Sequence, residues 1–191
     1  MINKELNNLK SPGKSHGALT TKIARKIALD WEERGYKVLY DHDPSNENVG
    51  KIVSWFGEQY GRGTQLSHID IAIVEKSSNK VFALIEIEDT ADRPKTFIGD
   101  VFSILMGEHI GFSGKYQLSV NEDTTLIVLG KSKVSHEKRN RYLREKVMES
   151  KAGLSTGNSV IGNVVIETFA DENELFVLMP YLLERVFRGG V

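Results

Sequence analysis

The 191-residue sequence contains no cysteine, which excludes disulfide bridges and thiolate zinc sites. A chain without cysteine suits a reducing compartment, and we expect a cytoplasmic protein. Long apolar stretches are also missing. No run approaches the roughly 18 to 20 apolar residues that span a bilayer, so we expect no membrane partner. Residues 1–10 lack the apolar segment of a signal peptide.

An excess of either sign of charge is missing as well, because the formal net charge is −1. The chain therefore has no overall basic field, and any contact with nucleic acid must use a local basic patch. Apolar residues make up 40% of the chain, which is enough for a core in one domain. We expect a flexible N-terminal arm over residues 1–17 and a single domain over 18–191, with a helical insertion near 47–62.

Periodicity predicts the remaining elements in outline. Helices are expected at about 18–34, 49–60, 95–110 and 135–151, and strands at 36–40, 124–130 and 160–169. Near the C-terminus, Asp171 and Glu174 resemble a capping box, and 180–187 is predicted to be helical. Residues 175–179 stay open between helix and strand.

The most informative stretch is 66–88, where two β-branched apolar runs flank a polar turn at 76–80. This pattern predicts a hairpin. Because side chains alternate along a strand, Asp70 lies on the face opposite Ile69 and Ile71, whereas Glu86 and Glu88 share a face of the second strand. Acids inside apolar strands are costly unless something compensates their charge.

Register determines whether these acids meet. Pairing Lys76 with Lys80 places Asp70 opposite Glu86, and the other register that keeps the faces matched places it opposite Glu88. Facing carboxylates repel each other, so the patch requires a divalent cation or a shared proton. Oxygen ligands suit Mg²⁺, with Mn²⁺ as the alternative. The other interpretation is that Glu88 ends the strand in solvent and Asp70 pairs with a lysine.

Local cations could bind a phosphate backbone. Arg62 lies in a Gly-Arg-Gly sequence before the first strand of the hairpin, and Arg93 begins the segment after it. Lys138 and Arg141 lie on a helix of mixed charge with a basic excess. For each of them an ordinary solvated surface position is the alternative.

The order helix, strand, acidic hairpin, helix, strand, helix, strand resembles that of the restriction-endonuclease-like, or PD-(D/E)xK, phosphodiesterase superfamily over residues 18–169. In that family an Asp lies on the second core strand, where Asp70 stands here. A (D/E)-x-K tripeptide ends the third strand, and Glu86-Ile87-Glu88 matches it with glutamate in place of lysine. The resemblance implies an α/β fold in which a central mixed β-sheet is flanked by helices, with an αβββαβ core.

The resemblance also implies a function, namely Mg²⁺-dependent hydrolysis of nucleic acid by a DNA endonuclease of restriction or DNA-processing type. Asp70 and Glu86 would bind the metal together with the carbonyl group of Ile87. Glu88 would orient or deprotonate the attacking water, or hold a second metal. Some relatives carry the lysine on the following helix, where Lys95 stands here, so Lys95 or Arg93 would offset charge on the phosphate. Many relatives act as dimers, which makes a homodimer an expectation.

Two alternatives stay open. The first is a catalytically silent module that binds nucleic acid or protein on the same scaffold. The second is an unrelated α/β enzyme or structural domain whose acids are only polar decoration. The tripeptide departs from the family pattern because it has glutamate in place of lysine, and this departure is the reason for the silent-module alternative.

Overall fold

The computed structural model describes residues 16–41, 50–89, 94–113 and 116–189. The helices are α1 (His16–Trp31), α2 (Pro94–Leu105), α3 (Glu137–Lys151) and α4 (Glu172–Phe187), with a short 3-10 helix at Gly157–Val160. The strands are β1 (Tyr36–Tyr40), β2 (Ile52–Trp55), β3 (Gln65–Ile69), β4 (Ile71–Glu75), β5 (Val81–Glu88), β6 (His109–Phe112), β7 (Tyr116–Leu118), β8 (Thr125–Lys131) and β9 (Asn163–Phe169).

The main sheet is mixed and has the strand order β1-β4-β5-β8-β9. The first three of these strands are antiparallel, whereas β8 and β9 run parallel to β5. Read along the chain, α1, β1, β4, β5, α2 and β8 follow the expected helix-strand-strand-strand-helix-strand order. The α/β fold with a central mixed sheet is therefore confirmed.

Helices cover both faces of this sheet because its strands are apolar on both sides. On one face, α1 and α4 pack against side chains that include Ile71, Ile85 and Ile87. On the other face, α2 packs against the alternate side chains, among them Ala72 and Leu84. None of the described helices is long and apolar enough to cross a membrane.

A second, antiparallel sheet has the order β3-β2-β6-β7. Its strand β2 lies within 49–60, the segment that was predicted to be helical. That prediction is wrong for the described residues 50–60. The β-branched run at Ile52 and Val53 pairs with β3 on one side and with β6 on the other, so tertiary pairing overrides an apolar pattern that also fits a helix. Residues 47–49 of the predicted helical insertion lie outside the described residues, as does the predicted arm up to residue 15.

Other boundaries also differ from the prediction. Helix α2 ends at Leu105 rather than near 110, because His109–Phe112 pairs with β2 as a strand. Helix α4 begins at the predicted capping box, in which Asp171 Oδ1 accepts from the Glu174 backbone amide at 3.0 Å. It continues through Pro180, so 175–179 is helical.

Close packing between β8 and α2 depends on Gly130. A Cβ atom at this position would lie 1.7 Å from Cζ of Phe97, a fully buried ring on α2. Gly130 also pairs with Glu88 of β5, so this contact sets how closely the start of α2 approaches the acidic end of the hairpin.

We expect Gly130→Ala to lower the free energy of unfolding by about 1–3 kcal/mol, because the added methyl group overlaps the Phe97 ring. Urea denaturation measures the change. The matched control is Gly99→Ala on α2, where a Cβ atom meets nothing within 4 Å, and which should be neutral or stabilising by up to about 1 kcal/mol. In a Phe97→Leu background the Gly130→Ala cost should shrink. An equal cost in both backgrounds would refute the proposed contact.

Candidate metal centre

Asp70 occupies the bend at which the chain passes from the second sheet into the main sheet. Strand β3 ends at Ile69 and β4 begins at Ile71, so the predicted single strand is split at the acid. The bend also breaks the alternation of side chains. Ile69 packs with the α2 side of the core and Ile71 with the α1 side, so the expectation that these two residues share a face is wrong.

The register of the hairpin is the first of the two that were predicted. Ile71 pairs with Ile85, and continuing that register by one residue brings Asp70 opposite Glu86. A bulge at Val74 shifts the pairing nearer the turn, so the turn is closed by the Glu75 amide donating to the Lys80 carbonyl at 2.9 Å. The acidic end therefore keeps the predicted pairing although the turn itself differs.

Asp70 is held in place by the backbone of β5. Its Oδ2 accepts a hydrogen bond from the Ile87 amide at 2.9 Å, and the residue is only 8% exposed. The β4–β5 pairing ends at Ile71 and Ile85, so the carboxylate meets an amide of β5 beyond the last paired residue. A carboxylate that accepts a backbone N–H is both oriented and stabilised in its charged form.

Glu86 lies on the α2 side of the sheet, because its neighbours Ile85 and Ile87 face the α1 side. Burial raises the pKa of the Glu86 carboxyl group well above its ordinary value. The charges of Asp70 and Asp100 raise this pKa further, and so does a hydrogen bond to the Asp70 side chain. Only a hydrogen bond from the Asp70 backbone amide acts in the opposite direction. The Glu86 carboxyl group is therefore harder to ionise than an ordinary glutamate, and positive charge beside it would favour its ionised form.

These acids line a pocket of about 480 Å³ at the C-terminal end of β5. The polar side chains of its wall are Asp41, Lys51, Ser67, His68, Asp70, Glu86, Glu88, Asp100 and Ser103. The structure thus brings together Asp70, Glu86 and Glu88, the three acids predicted to gather on one side of the hairpin. Their catalytic and metal-binding roles stay predictions, as does that of the Ile87 carbonyl group.

Sequence reasoning missed three charged residues of the wall. Asp100 had a detectable signal, because it falls in the apolar stripe of α2 three residues after Phe97 and four before Ile104. Lys51 had no such signal, because 49–60 is predicted to be helical, and neither had Asp41, which follows the predicted strand at 36–40. Lys51 reaches the pocket through the second sheet, next to Ile52 of β2, whereas Asp41 follows β1 of the main sheet, where its amide donates to the Asp70 carbonyl at 3.4 Å.

The other predicted site residues lie elsewhere. Lys95 is exposed in the first turn of α2 and does not line the pocket, whereas Lys51 does. Arg62 is exposed in the turn before β3. Lys138 and Arg141 are exposed on α3, and Lys138 lines a separate cavity. Arg93 lies outside the described residues.

The donors of the pocket fit a hard divalent cation. Carboxylate oxygens are the ligands that Mg²⁺ prefers, and a cation would relieve the repulsion that raises the pKa of Glu86. Asp70 and Glu86 would hold the ion, with Glu88 or Asp100 within the same pocket. Among the described residues no group of three His, Asp or Glu side chains is already arranged around one point.

The raised pKa of Glu86 makes stability depend on pH. The folded chain retains this proton to a higher pH than the unfolded chain, so the free energy of unfolding falls as the pH rises above the ordinary carboxyl value of 4.5. The fall ends once Glu86 is ionised in the folded chain. Urea titrations from pH 5 to pH 9 in EDTA measure this dependence, and Mg²⁺ should recover the loss at high pH.

In Glu86→Gln both the Glu86 component of the pH dependence and the Mg²⁺ effect should disappear. Glu122→Gln, an exposed position away from the pocket, is the matched control and should behave as the parent chain. Identical pH profiles for the parent and Glu86→Gln would show that the carboxyl group is not perturbed.

Asp70, Glu86, Glu88 and Asp100 therefore share one pocket with Lys51, where the chain crosses between its two sheets. Their oxygens can bind a hard cation, and the lysine can meet an anion. Comparison of the chain with models of known protein families, with curated proteins and with solved structures gives no match.

Proposed function

We propose that this chain is a Mg²⁺-dependent nuclease that hydrolyses phosphodiester bonds in nucleic acid, with DNA endonuclease activity expected. The observation that carries the proposal is the contact between the carboxyl groups of Asp70 and Glu86 in the acidic pocket. A paired, partly buried acid with a raised pKa in a cleft is typical of a functional site. The pocket volume of about 480 Å³ lies within the usual range of ligand pockets.

The residues of the pocket would have different chemical roles. Asp70, fixed by the Ile87 amide, and Glu86 would hold the cation. When bound, the ion lowers the pKa of water and offsets charge on the phosphoryl group. Glu88 would orient the attacking water and accept its proton. Lys51 would pair with a non-bridging phosphate oxygen, as the cation that the tripeptide itself lacks.

A silent module that binds nucleic acid or protein is the second candidate. The observation in its favour is that the described residues contain no preassembled group of three metal-binding side chains. Such a module would bind oligonucleotides equally well with Mg²⁺ or EDTA and would leave them intact. A nuclease requires the ion for cleavage.

The nuclease proposal is tested by incubating the protein with plasmid and oligonucleotide substrates in Mg²⁺, in Mn²⁺ and in EDTA. We expect cleavage that requires the divalent ion and that falls by about 100-fold or more in Asp70→Asn or Glu86→Gln. Glu122→Gln should retain full activity. Cleavage that survives both pocket substitutions would place the activity outside this pocket, or in a contaminant.

A second comparison separates the two candidate lysines. Lys51→Ala should lower kcat by about 100-fold, because it removes a charge-assisted donor to the phosphate, while Lys95→Ala should change it only a few-fold. Single-turnover cleavage measures both variants, and circular dichroism verifies their folding. A larger loss of kcat in Lys95→Ala than in Lys51→Ala would show that Lys95, rather than Lys51, contacts the phosphate.

A further inference from the structure

The second sheet presents an outer face of which His68 alone, among the residues of the two rows named below, also lines the acidic pocket. Its inner face carries Ile69, Ile52 and Phe112 into the core. The alternate positions therefore form the outer face, in two cross-strand rows. One row is His68, Val53, Gly111 and Gln117, and the other contains Gln65, Trp55 and His109.

Rings cluster on this outer face around Trp55. The absence of a side chain at Gly111 leaves room for the indole, since a Cβ atom there would lie 2.8 Å from it. Tyr60, from the turn after β2, approaches Trp55 edge-on with ring centroids 5.7 Å apart. The His109 ring lies 5.3 Å from Trp55 on another side. These three residues are termed the ring cluster.

Packing of the protein alone does not account for the ring cluster. Tyr60 remains 43% exposed, and its hydroxyl group is oriented by Gln65 Oε1 at 3.2 Å. The Nε1 atom of Trp55 is buried from solvent and has no hydrogen-bond partner among the described residues. Because the indole N–H is buried, a surface ligand would not reach it, and the oriented, exposed ring of Tyr60 is the part of the cluster on which a flat group can stack.

Lys51 links the ring cluster to the acidic pocket, because this residue lines a cavity beside each of them. A cavity of about 270 Å³ is lined by Lys51, Val53, Tyr60 and Ser113. Lys51 lines the acidic pocket as well, so the two cavities share a wall. A ligand that reaches both would place a flat group near Tyr60 and an anionic group at Lys51.

We propose that the ring cluster binds an unpaired base of a single-stranded nucleic acid whose backbone passes Lys51 to the acidic pocket. The inference rests on the proposed nuclease function and adds the form of the substrate. Bases of a duplex hide their faces in the stack, whereas the bases of a single strand stack on aromatic side chains whatever their sequence. Lys51 supplies the charge that a phosphate backbone requires.

Tryptophan fluorescence in EDTA tests binding without cleavage. The chain has two tryptophans, and Trp31 is only 3% exposed in the α1 core, so quenching by a ligand on the surface reports on Trp55. We expect oligo-dT or oligo-U to quench the emission and the corresponding duplex to quench much less. Comparison of the two oligonucleotides distinguishes DNA from RNA as the source of the strand.

Substitutions at Tyr60 then test the ring itself. Tyr60→Leu should weaken single-strand binding by about 5- to 150-fold, the range for loss of one base-stacking contact, whereas Tyr60→Phe should retain binding. Tyr181→Ala is the matched control, because this tyrosine is 60% exposed on α4, away from the second sheet. It should bind as the parent chain does.

Equal affinity for single strand and duplex, no binding at all, or unchanged binding in Tyr60→Leu would overturn the inference. Failure of the nuclease proposal gives a different result, namely Tyr60-dependent binding of single strands without cleavage in Mg²⁺. Conversely, cleavage of duplex that is indifferent to Tyr60→Leu would remove the ring cluster from the substrate path and leave the nuclease proposal standing.

Discussion

The site depends on one hydrogen bond, from the Ile87 amide to the Asp70 carboxylate. It forms where β3 leaves the second sheet and β4 enters the main sheet, so it fixes the crossing point of the chain. Without it, an amide near the end of β5 would lose its partner in a buried position, and the acid would lose the contact that orients it. The same contact holds Asp70 beside Glu86, so a requirement of backbone pairing creates a juxtaposition of carboxyl groups.

Holding these two carboxyl groups side by side costs electrostatic free energy, which the packing of the surrounding core offsets. Apolar clusters on both faces of the main sheet hold β5 rigidly, and the Gly130–Phe97 contact fixes α2 close to it. Helix α2 adds a further acid, Asp100, whose charge raises the pKa of Glu86. A chain selected for stability alone would gain by placing apolar residues at these positions. Retaining three neighbouring acids under a well-packed core favours a role in binding positive charge.

The second sheet explains how a pocket with five acids in its wall could accept an anionic chain. It contributes Lys51 to the pocket wall and places the ring cluster of Trp55, Tyr60 and His109 beyond that lysine. A phosphodiester would then be recognised by a lysine and a bound ion, and its base by aromatic surface. The chemistry would take place at the end of the main sheet, and the outer face of the second sheet would position the substrate.

The sequence alone left two registers open at the acidic end, and the structure has the one that brings Asp70 opposite Glu86. The sequence did predict the hairpin and the gathering of Asp70, Glu86 and Glu88, because strand alternation and turn composition are local properties. It also determined β1, β8, α3 and the capped start of α4. That residues 52–55 form a strand follows only from tertiary contacts, because an apolar run of that length fits a helix or a strand until β3 and β6 pair with it. Likewise, Lys51 enters the pocket through contacts between segments distant in the chain, which no local pattern encodes. Asp100 differs, because its place in the apolar stripe of α2 is a local signal.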